Sequence, residues 1–148
     1  MSIRAVRNSN PGNIEAATQW QGLMPRAQMT LAQANEHRFA VFSSPKWGFR
    51  ALATILRNYE KLHGLRTARE IITRWAPPVE NDTEAYIAHV CSKIGHGADE
   101  PLNLSDAGTL SKLCRAIAEH ECGGWFFAEH DLNEGVRLAI GGPAPLIS

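Results

Sequence analysis

Apolar residues recur at helical spacing from Ser44 onward, and this pattern predicts a run of helices. The first begins at Ser44 and Pro45, which suit the N-cap and the first helical position, and it ends at Gly64. Its inward face comprises Phe49, Leu52, Ile55, Leu56, Tyr59 and Leu62. A second helix opens with Thr67 and Glu70 at capping-box spacing and stops before Pro77.

Two further helices and a last, short one are predicted after these. "NDTEAYIAHVCSKIG" predicts a third helix, capped by Asn81 or Asp82 and ended by Gly95. "SDAGTLSKLCRAIAEHECGG" predicts a fourth, and "DLNEGVRLAIGG" predicts a last, short one. The inward face of the fourth comprises Leu110, Leu113, Cys114, Ile117 and Glu121.

The N-terminal part is patterned differently. Residues 1–34 have little periodicity and contain the turn signal "NSNPGN", which favours irregular structure. "RFAVF", Arg38 to Phe42, alternates like a strand that could form a hairpin with a neighbour. Residues 140–148 are rich in Pro and Gly and indicate a flexible tail. We therefore predict one mainly α domain, residues 1–148, with a short β-hairpin.

Charge and composition exclude several classes of partner and location. Lys plus Arg and Asp plus Glu both number 15, so neither nucleic acid nor an anionic membrane is an expected partner. We also expect no membrane span, because no run of about 18 apolar residues occurs. The first residues lack the apolar core of a secretion signal. If the protein acts outside the cytoplasm, another route of delivery is therefore expected; synthesis in a bacterial cytoplasm is implied only by the resemblance described below.

Cysteine and histidine spacing gives no metal or cofactor motif. Cys91, Cys114 and Cys122 are an odd number and are expected to be reduced thiols. Five histidines could supply ligands, but no Cys-x-x-Cys or His-Glu-x-x-His spacing occurs. We predict no metal site and no cofactor. These five, of six histidines in the chain, are His63, His89, His96, His120 and His130. His120 is expected to face away from Glu121.

The end of the fourth helix, "AIAEHECGGWFF", carries the strongest candidate for chemistry. Glu121 lies one turn after Ile117 and at the negative end of the helix dipole, two features that favour a neutral carboxylic acid. A glycosidase requires such an acid to protonate the leaving sugar oxygen. Gly123 and Gly124 leave backbone open to a substrate, and Trp125 could stack on a sugar. An ordinary helix terminus with a Gly cap is the alternative.

Several segments resemble lysozyme-like peptidoglycan enzymes, which include soluble lytic transglycosylases and flagellar-type N-acetylglucosaminidases. "AEHECGGW" is similar to their Glu-Ser-Gly segment, with Cys122 in place of Ser. "NSNPGNIEA" is similar to their Asn-Asn-x-x-Gly-Ile segment, and "RWAPPVENDTEAYIAHV" to their Tyr-Ala-Thr-Asp-x-x-Tyr segment. The order of the segments differs, as a circular permutation would produce. "RNxNPGNI" and "RWAPPxENxT" also resemble small phage and prophage virion or lysozyme-like proteins.

The resemblance implies a lysozyme-like fold and cleavage of peptidoglycan between N-acetylmuramic acid and N-acetylglucosamine. Glu121 would be the general acid and then the base, acting on water or on the muramic-acid hydroxyl. Hydrolysis would need a second carboxylate, Glu80 or Glu15. The implied substrate-binding residues are Asn10, Asn13, Tyr86 and Trp125. The protein would act at the periplasmic cell wall, delivered by a phage particle or at lysis.

Other interpretations stay open at this stage. Glu15 could be a surface charge, and Tyr86 could be a core residue or could orient Glu121. The chain could also be a non-catalytic virion or tail protein that binds cell wall or another virion protein. An enzyme should have Glu121 in a cleft with a polar group facing it. A binding protein should have Glu121 in a salt bridge, or its cleft filled by the C-terminal tail.

Overall fold

Helices account for most of the chain in the computed structural model, which describes residues 3–141. Short helices come first, and longer ones fill the chain from residue 45 onward. In order they are α1 (Arg4–Arg7), α2 (Leu31–Ala34), α3 (Pro45–His63), α4 (Ala68–Trp75), α5 (Thr83–Ile94), α6 (Ala107–Cys122) and α7 (Glu129–Gly141). The predicted mainly α fold is therefore confirmed.

Local capping chemistry sets most helix ends. The Thr67 hydroxyl and the Glu70 side chain form the predicted capping box of α4. Asp82, and not Asn81, caps α5 by accepting a hydrogen bond from the backbone of Ala85 at 3.2 Å. Ser44 occupies the N-cap of α3, but its side chain makes no capping hydrogen bond. Gly64 and Gly95, predicted to end α3 and α5, adopt left-handed backbone angles. So does Gly123 at the end of α6, where a glycine cap was the alternative interpretation.

The prediction of irregular structure over residues 1–34 is partly wrong. Besides α1 and α2, a 3-10 turn spans Arg26–Gln28. The single turn of α2 is stabilised by a capping box between Thr30 and Gln33, whose side chains bond each other's backbone N–H groups. Capping therefore supports in α2 a helical turn that is too short for apolar periodicity to reveal.

The predicted hairpin is also wrong in detail. The extended segment Arg38–Phe42 pairs through isolated antiparallel bridges, Glu15 with Phe39 and Leu23 with Phe42. It contacts first residues 14–16 and then residues 22–24, so neither partner runs alongside it for more than a few residues. The chain leaves the segment between these two stretches, and no continuous ladder forms in the part of the chain described.

A buried carboxylate joins the N-terminal helices to this extended segment. The Glu36 side chain is 1% exposed and receives hydrogen bonds from Arg4 at 2.7 and 2.8 Å and from Arg7 at 3.3 Å. It also accepts from the Asn8 amide and from the backbone of Arg38 and Phe39. These donors satisfy an ionised group that would otherwise be costly to bury.

One hydrophobic cluster runs through the helices, with α3 packed closely on α7. Leu62, predicted to face inward, is 70% exposed, because α3 extends past the cluster at its C-terminal end. Of the predicted flexible tail, residues 140 and 141 belong to α7. Residues 142–148 lie outside the described part of the chain.

The contact between α3 and α7 requires a glycine at position 135. A Cβ atom there would lie 2.5 Å from Cβ of Phe49 and 2.7 Å from the carbonyl oxygen of Lys46. Gly135→Ala is expected to destabilise the fold by about 1–3 kcal/mol through overpacking. Gly141→Ala on the same helix is the control, because no described atom lies within 4 Å of its Cβ position. Equal urea-unfolding midpoints for the two variants would contradict this prediction.

None of the helices within residues 3–141 combines the length and the apolar character that crossing a membrane requires.

Candidate functional site

A cleft of about 580 Å³ opens between the N-terminal segment and the loop that joins α4 to α5. Residues 12–15 and Arg38 with Phe39 line one part of it, and residues 75–77 and 79–81 line another. Ile55 and Tyr59 contribute from α3. Glu121, the penultimate residue of α6, also lines this cleft. The sequence prediction that Glu121 lies in a cleft is therefore consistent with the structure.

Two side chains hold the Glu121 carboxylate, one on each oxygen. The Asn13 amide nitrogen donates to Oε1 at 3.0 Å, and the Tyr86 hydroxyl donates to Oε2 at 2.7 Å. No ion pair reaches Glu121 from the described residues, although ten pairs occur elsewhere among them. The carboxylate is thus fixed by neutral donors and is not neutralised by a cation.

The Asn-Pro-Gly-Asn turn places Asn13 beside Glu121. Asn13 has a φ of 49°, in the left-handed region that Asn tolerates better than most residues, and its N–H donates to the Asn10 carbonyl at 3.0 Å. Asn10 is fully buried, and its amide bonds the backbone of Ile14 and Ala40. Asn10 was predicted to bind substrate. It holds the turn instead and does not line the cleft.

Tyr86 lies beneath the cleft and connects Glu121 to Trp75. The residue is 2% exposed, and its hydroxyl accepts a hydrogen bond from the indole Nε1 of Trp75 at 3.2 Å. Burial, reinforced by the adjacent Glu121 carboxylate, raises the pKa of the Tyr86 phenol well above its usual range. Tyr86 therefore stays protonated. Of the roles open to it, orienting Glu121 fits this geometry, whereas direct contact with a sugar does not.

Glu15 and Glu80, the two candidate second carboxylates, both line the cleft. Their side chains are 64% and 67% exposed, and both approach the guanidinium of Arg38, at 3.4 and 3.5 Å. Arg38 thus links the N-terminal wall of the cleft to the loop after α4. Each of these carboxylates has a cation beside it, in contrast to Glu121.

Trp125 does not line the Glu121 cleft. Its ring packs against Phe49 and Phe127, both at 5.9 Å between centroids, and the Arg115 guanidinium lies 4.3 Å above it. The left-handed Gly123, with φ of 73°, ends α6 just before this residue. The predicted sugar-binding role of Trp125 is replaced by packing that holds the segment after α6 on α3.

The sequence prediction missed several cleft residues. Trp75, Tyr59, Phe39 and Arg38 line the cleft and were not proposed for it. Trp75 stands inside the "RWAPP" motif, two residues before the first of the two prolines, so an aromatic residue close to that turn is the available signal. Arg38 has no comparable signal, because only the folded chain brings it close to Glu80.

His120 is connected to the site indirectly. It makes no hydrogen bond with Glu121, but its ring stacks on Tyr86 with 3.7 Å between centroids. Its Nδ1 lies 2.9 Å from Nδ1 of His89 on α5. Burial, followed by the neighbouring His89, lowers the pKa of His120, so a neutral ring is favoured against Tyr86.

Thiols and possible metal ligands are dispersed. Cys91, Cys114 and Cys122 are free, and burial raises the pKa of Cys122 to about 11 and that of Cys114 still higher. Cys122, which replaces the serine of the resembled motif, is therefore an uncharged thiol beside Glu121. Among residues 3–141, no three His, Cys, Asp or Glu side chains are grouped so as to hold a metal ion.

Comparisons with known proteins place this chain among phage proteins. No family model matches the sequence. The chain is 40% identical over 145 residues to Protein P5 of Pseudoalteromonas phage PM2, and the match covers 95% of this chain and 84% of that protein. Identity at this level over most of both chains indicates common descent and a shared fold. The chain therefore belongs to the phage protein family that includes Protein P5 of phage PM2.

Proposed function

We propose that this phage protein cleaves the glycan strands of peptidoglycan as a lytic transglycosylase, with Glu121 as its general acid and base. The observation that carries the proposal is the position of Glu121 in a cleft, where each oxygen is held by a neutral donor and no ion pair reaches it from residues 3–141. Such a carboxylate can give up and recover a proton without first breaking a salt bridge.

A transglycosylase requires one catalytic carboxylate. Glu121 protonates the glycosidic oxygen, and the bond from that oxygen to C1 of N-acetylmuramic acid breaks. The C6 hydroxyl of the same sugar then attacks C1 and returns its proton to Glu121, giving a 1,6-anhydro product. Hydrolysis would need Glu15 or Glu80 as a second carboxylate, and the side chains of both are more than 60% exposed beside Arg38.

The lining of the cleft suits a polysaccharide. Trp75, Tyr59 and Phe39 present aromatic groups, and Asn13 and Asn81 present amides, in one open groove. Aromatic faces pack against sugar rings while amides bond their hydroxyls. The proposal includes a lysozyme-like fold in which the segments that resemble the peptidoglycan enzymes occur in circularly permuted order. Action at the cell wall, delivered by a phage particle or at lysis, is also part of it.

The test is digestion of purified peptidoglycan by the wild-type protein, with products identified by mass spectrometry. Muropeptides lighter by one water, with anhydro-muramic ends, are expected. Products with reducing muramic-acid ends would replace the transglycosylase by a muramidase and direct attention to Glu15 and Glu80. Co-sedimentation with peptidoglycan without any product would overturn the enzymatic proposal in favour of a virion protein that binds cell wall.

Tyr86→Phe tests how far catalysis depends on the orientation of Glu121. Removing the hydroxyl deletes the 2.7 Å bond to Oε2 and leaves the Trp75 indole without its acceptor. We expect kcat to fall about tenfold with KM little changed, since Tyr86 lies beneath the cleft, and stability to fall by about 1 kcal/mol. A rise in KM at constant kcat would instead mean that Tyr86 contacts the substrate.

A further inference from the structure

We infer that the Asn13 side-chain amide rotates by half a turn with each change in the protonation state of Glu121, and that the catalytic proton resides on Oε1. The inference rests on the proposed function and assigns a positioning residue and a proton site within it. It starts from an asymmetry between the two hydrogen bonds that hold the carboxylate.

The bond to Oε2 has a fixed direction. An indole N–H can only donate, so Trp75 makes the Tyr86 oxygen an acceptor and leaves its own hydrogen for another partner. Tyr86 is buried, and Glu121 is the acceptor for that hydrogen among the described residues. A proton on Oε2 would compete with it and leave a buried hydroxyl without an acceptor, which is unfavourable. The proton of the acid form therefore belongs on Oε1.

The bond to Oε1 has no fixed direction. The Asn13 amide nitrogen donates to Oε1, but its oxygen is buried and has no hydrogen-bond partner among the described residues. Asn10, three positions earlier, provides the contrast, because both ends of its amide are bonded to backbone. Nothing comparable locks Asn13. The orientation of the Asn13 amide therefore depends on whether Oε1 accepts a hydrogen bond or carries a proton that it can donate.

The two orientations match the two forms of a general acid and base. With Glu121 ionised, the nitrogen donates to Oε1. With Oε1 protonated, a half turn about the terminal bond brings the Asn13 oxygen to Oε1 as acceptor, and the nitrogen takes the place of the oxygen. Each form of Glu121 then has one bond from Asn13, so a rotating amide discriminates between the two forms less than a permanent donor would. Oε1 is also on the side of Asn13, which lines the cleft, while Oε2 faces the buried Tyr86.

The other ionisable groups around Glu121 are the same in the wild type and in the variants that test Asn13. The titratable or charged groups near it, on its own helix, on α3, on α5 and across the cleft, are His120, Cys122, Tyr59, Tyr86, Glu15, Arg38 and Glu80. The substitutions needed to test Asn13 leave all of them in place.

Two variants separate a rotating amide from a permanent donor. Asn13→Gly suits the positive φ of 49° and removes both ends of the amide. Asn13→Asp keeps the shape and replaces the amide by a second carboxylate. The measurement is the titration midpoint of the Glu121 side-chain carboxyl carbon by NMR, together with the pH profile of peptidoglycan cleavage.

With a rotating amide, Asn13→Gly removes one bond from each form of Glu121. The midpoint should stay within about 0.3 pH unit of wild type while the rate falls about tenfold. Asn13→Asp should raise the midpoint by about one unit or more, because two adjacent carboxylates share one proton. A rise of about one unit in Asn13→Gly would show a donor that stabilises only the ionised form, and would overturn the inference.

An unchanged midpoint in Asn13→Asp would show that residue 13 is not beside Glu121, and would also overturn the inference. The NMR titration needs no enzymatic activity. If the wild type releases no products from peptidoglycan, the proposed function fails while the titration still decides how Asn13 behaves.

Discussion

Glu121→Gln is expected to lower the rate of peptidoglycan cleavage by about two to four orders of magnitude, the usual contribution of a general acid and base. Glutamine keeps the shape of the side chain but cannot deliver a proton to the glycosidic oxygen. Its amide also places a second donor against Asn13 or Tyr86, which bond both oxygens in the wild type. Initial rates of soluble muropeptide release provide the measurement.

Glu119→Gln is the matched control, two positions earlier on the same helix. The Glu119 side chain is 16% exposed and pairs with Lys93 at 3.5 Å and Arg115 at 3.3 Å, and it does not line the cleft. Its substitution should leave the rate within about twofold of wild type, since the lost ion pairs stabilise the protein only slightly. Equal activity of Glu121→Gln and Glu119→Gln would remove Glu121 from the mechanism.

Glu36→Ala is expected to lower the free energy of unfolding by about 2–3 kcal/mol, because Arg4, Arg7 and Asn8 lose their shared buried acceptor. For a chain of this size, that corresponds to about 5–10 °C in Tm. Glu84→Gln, whose side chain is 78% exposed beside Arg69, should change stability by less than about 0.5 kcal/mol. Comparable losses in the two variants would refute the structural role of Glu36.

The same carboxylate predicts how stability depends on pH. The Arg4 guanidinium, assisted by the N–H of Phe39 and the amide of Asn8, holds the pKa of Glu36 far below its usual range. Because the folded pKa is depressed, this stabilisation is complete above the unfolded value of about 4.3 and is lost as pH falls below it. The stability difference between wild type and Glu36→Gln should therefore shrink between pH 5 and about pH 3. A difference that stays constant would contradict the assignment.

Local sequence signals predicted the helices well and the site only partly. Pro45, the Thr67–Glu70 capping box and the glycines that end α3, α5 and α6 act within one or two turns of the chain, so their effect can be read from short segments. The turns of α1 and α2 were missed, because a single turn is too short for a periodic pattern. The hairpin failed because strand pairing depends on contacts distant in sequence.

Within the site, Glu121 and Asn13 were expected near each other from the resemblance, and the structure joins them by a hydrogen bond. Asn10 and Trp125 belong to the same motifs but face elsewhere. The direction of an asparagine within a tight turn is set by the backbone groups that it meets, here those of Ile14 and Ala40. Motif letters do not specify that direction. The Arg38–Glu80 contact joins residues 42 positions apart and has no local signature.

The bond between Asn13 and Glu121 spans 108 positions of sequence, and the second bond on the same carboxylate comes from Tyr86, between them. A ribosome has to release nearly all of α6 before these groups can meet. During translation, the site therefore stays incomplete until nearly all of the chain has left the ribosome. The hydrogen bonds to Glu121 form only when the fold is completed. A polypeptide that ends before residue 121 would carry the Asn-Pro-Gly-Asn turn and most of the cleft wall, yet would lack the carboxylate on which the proposed activity depends.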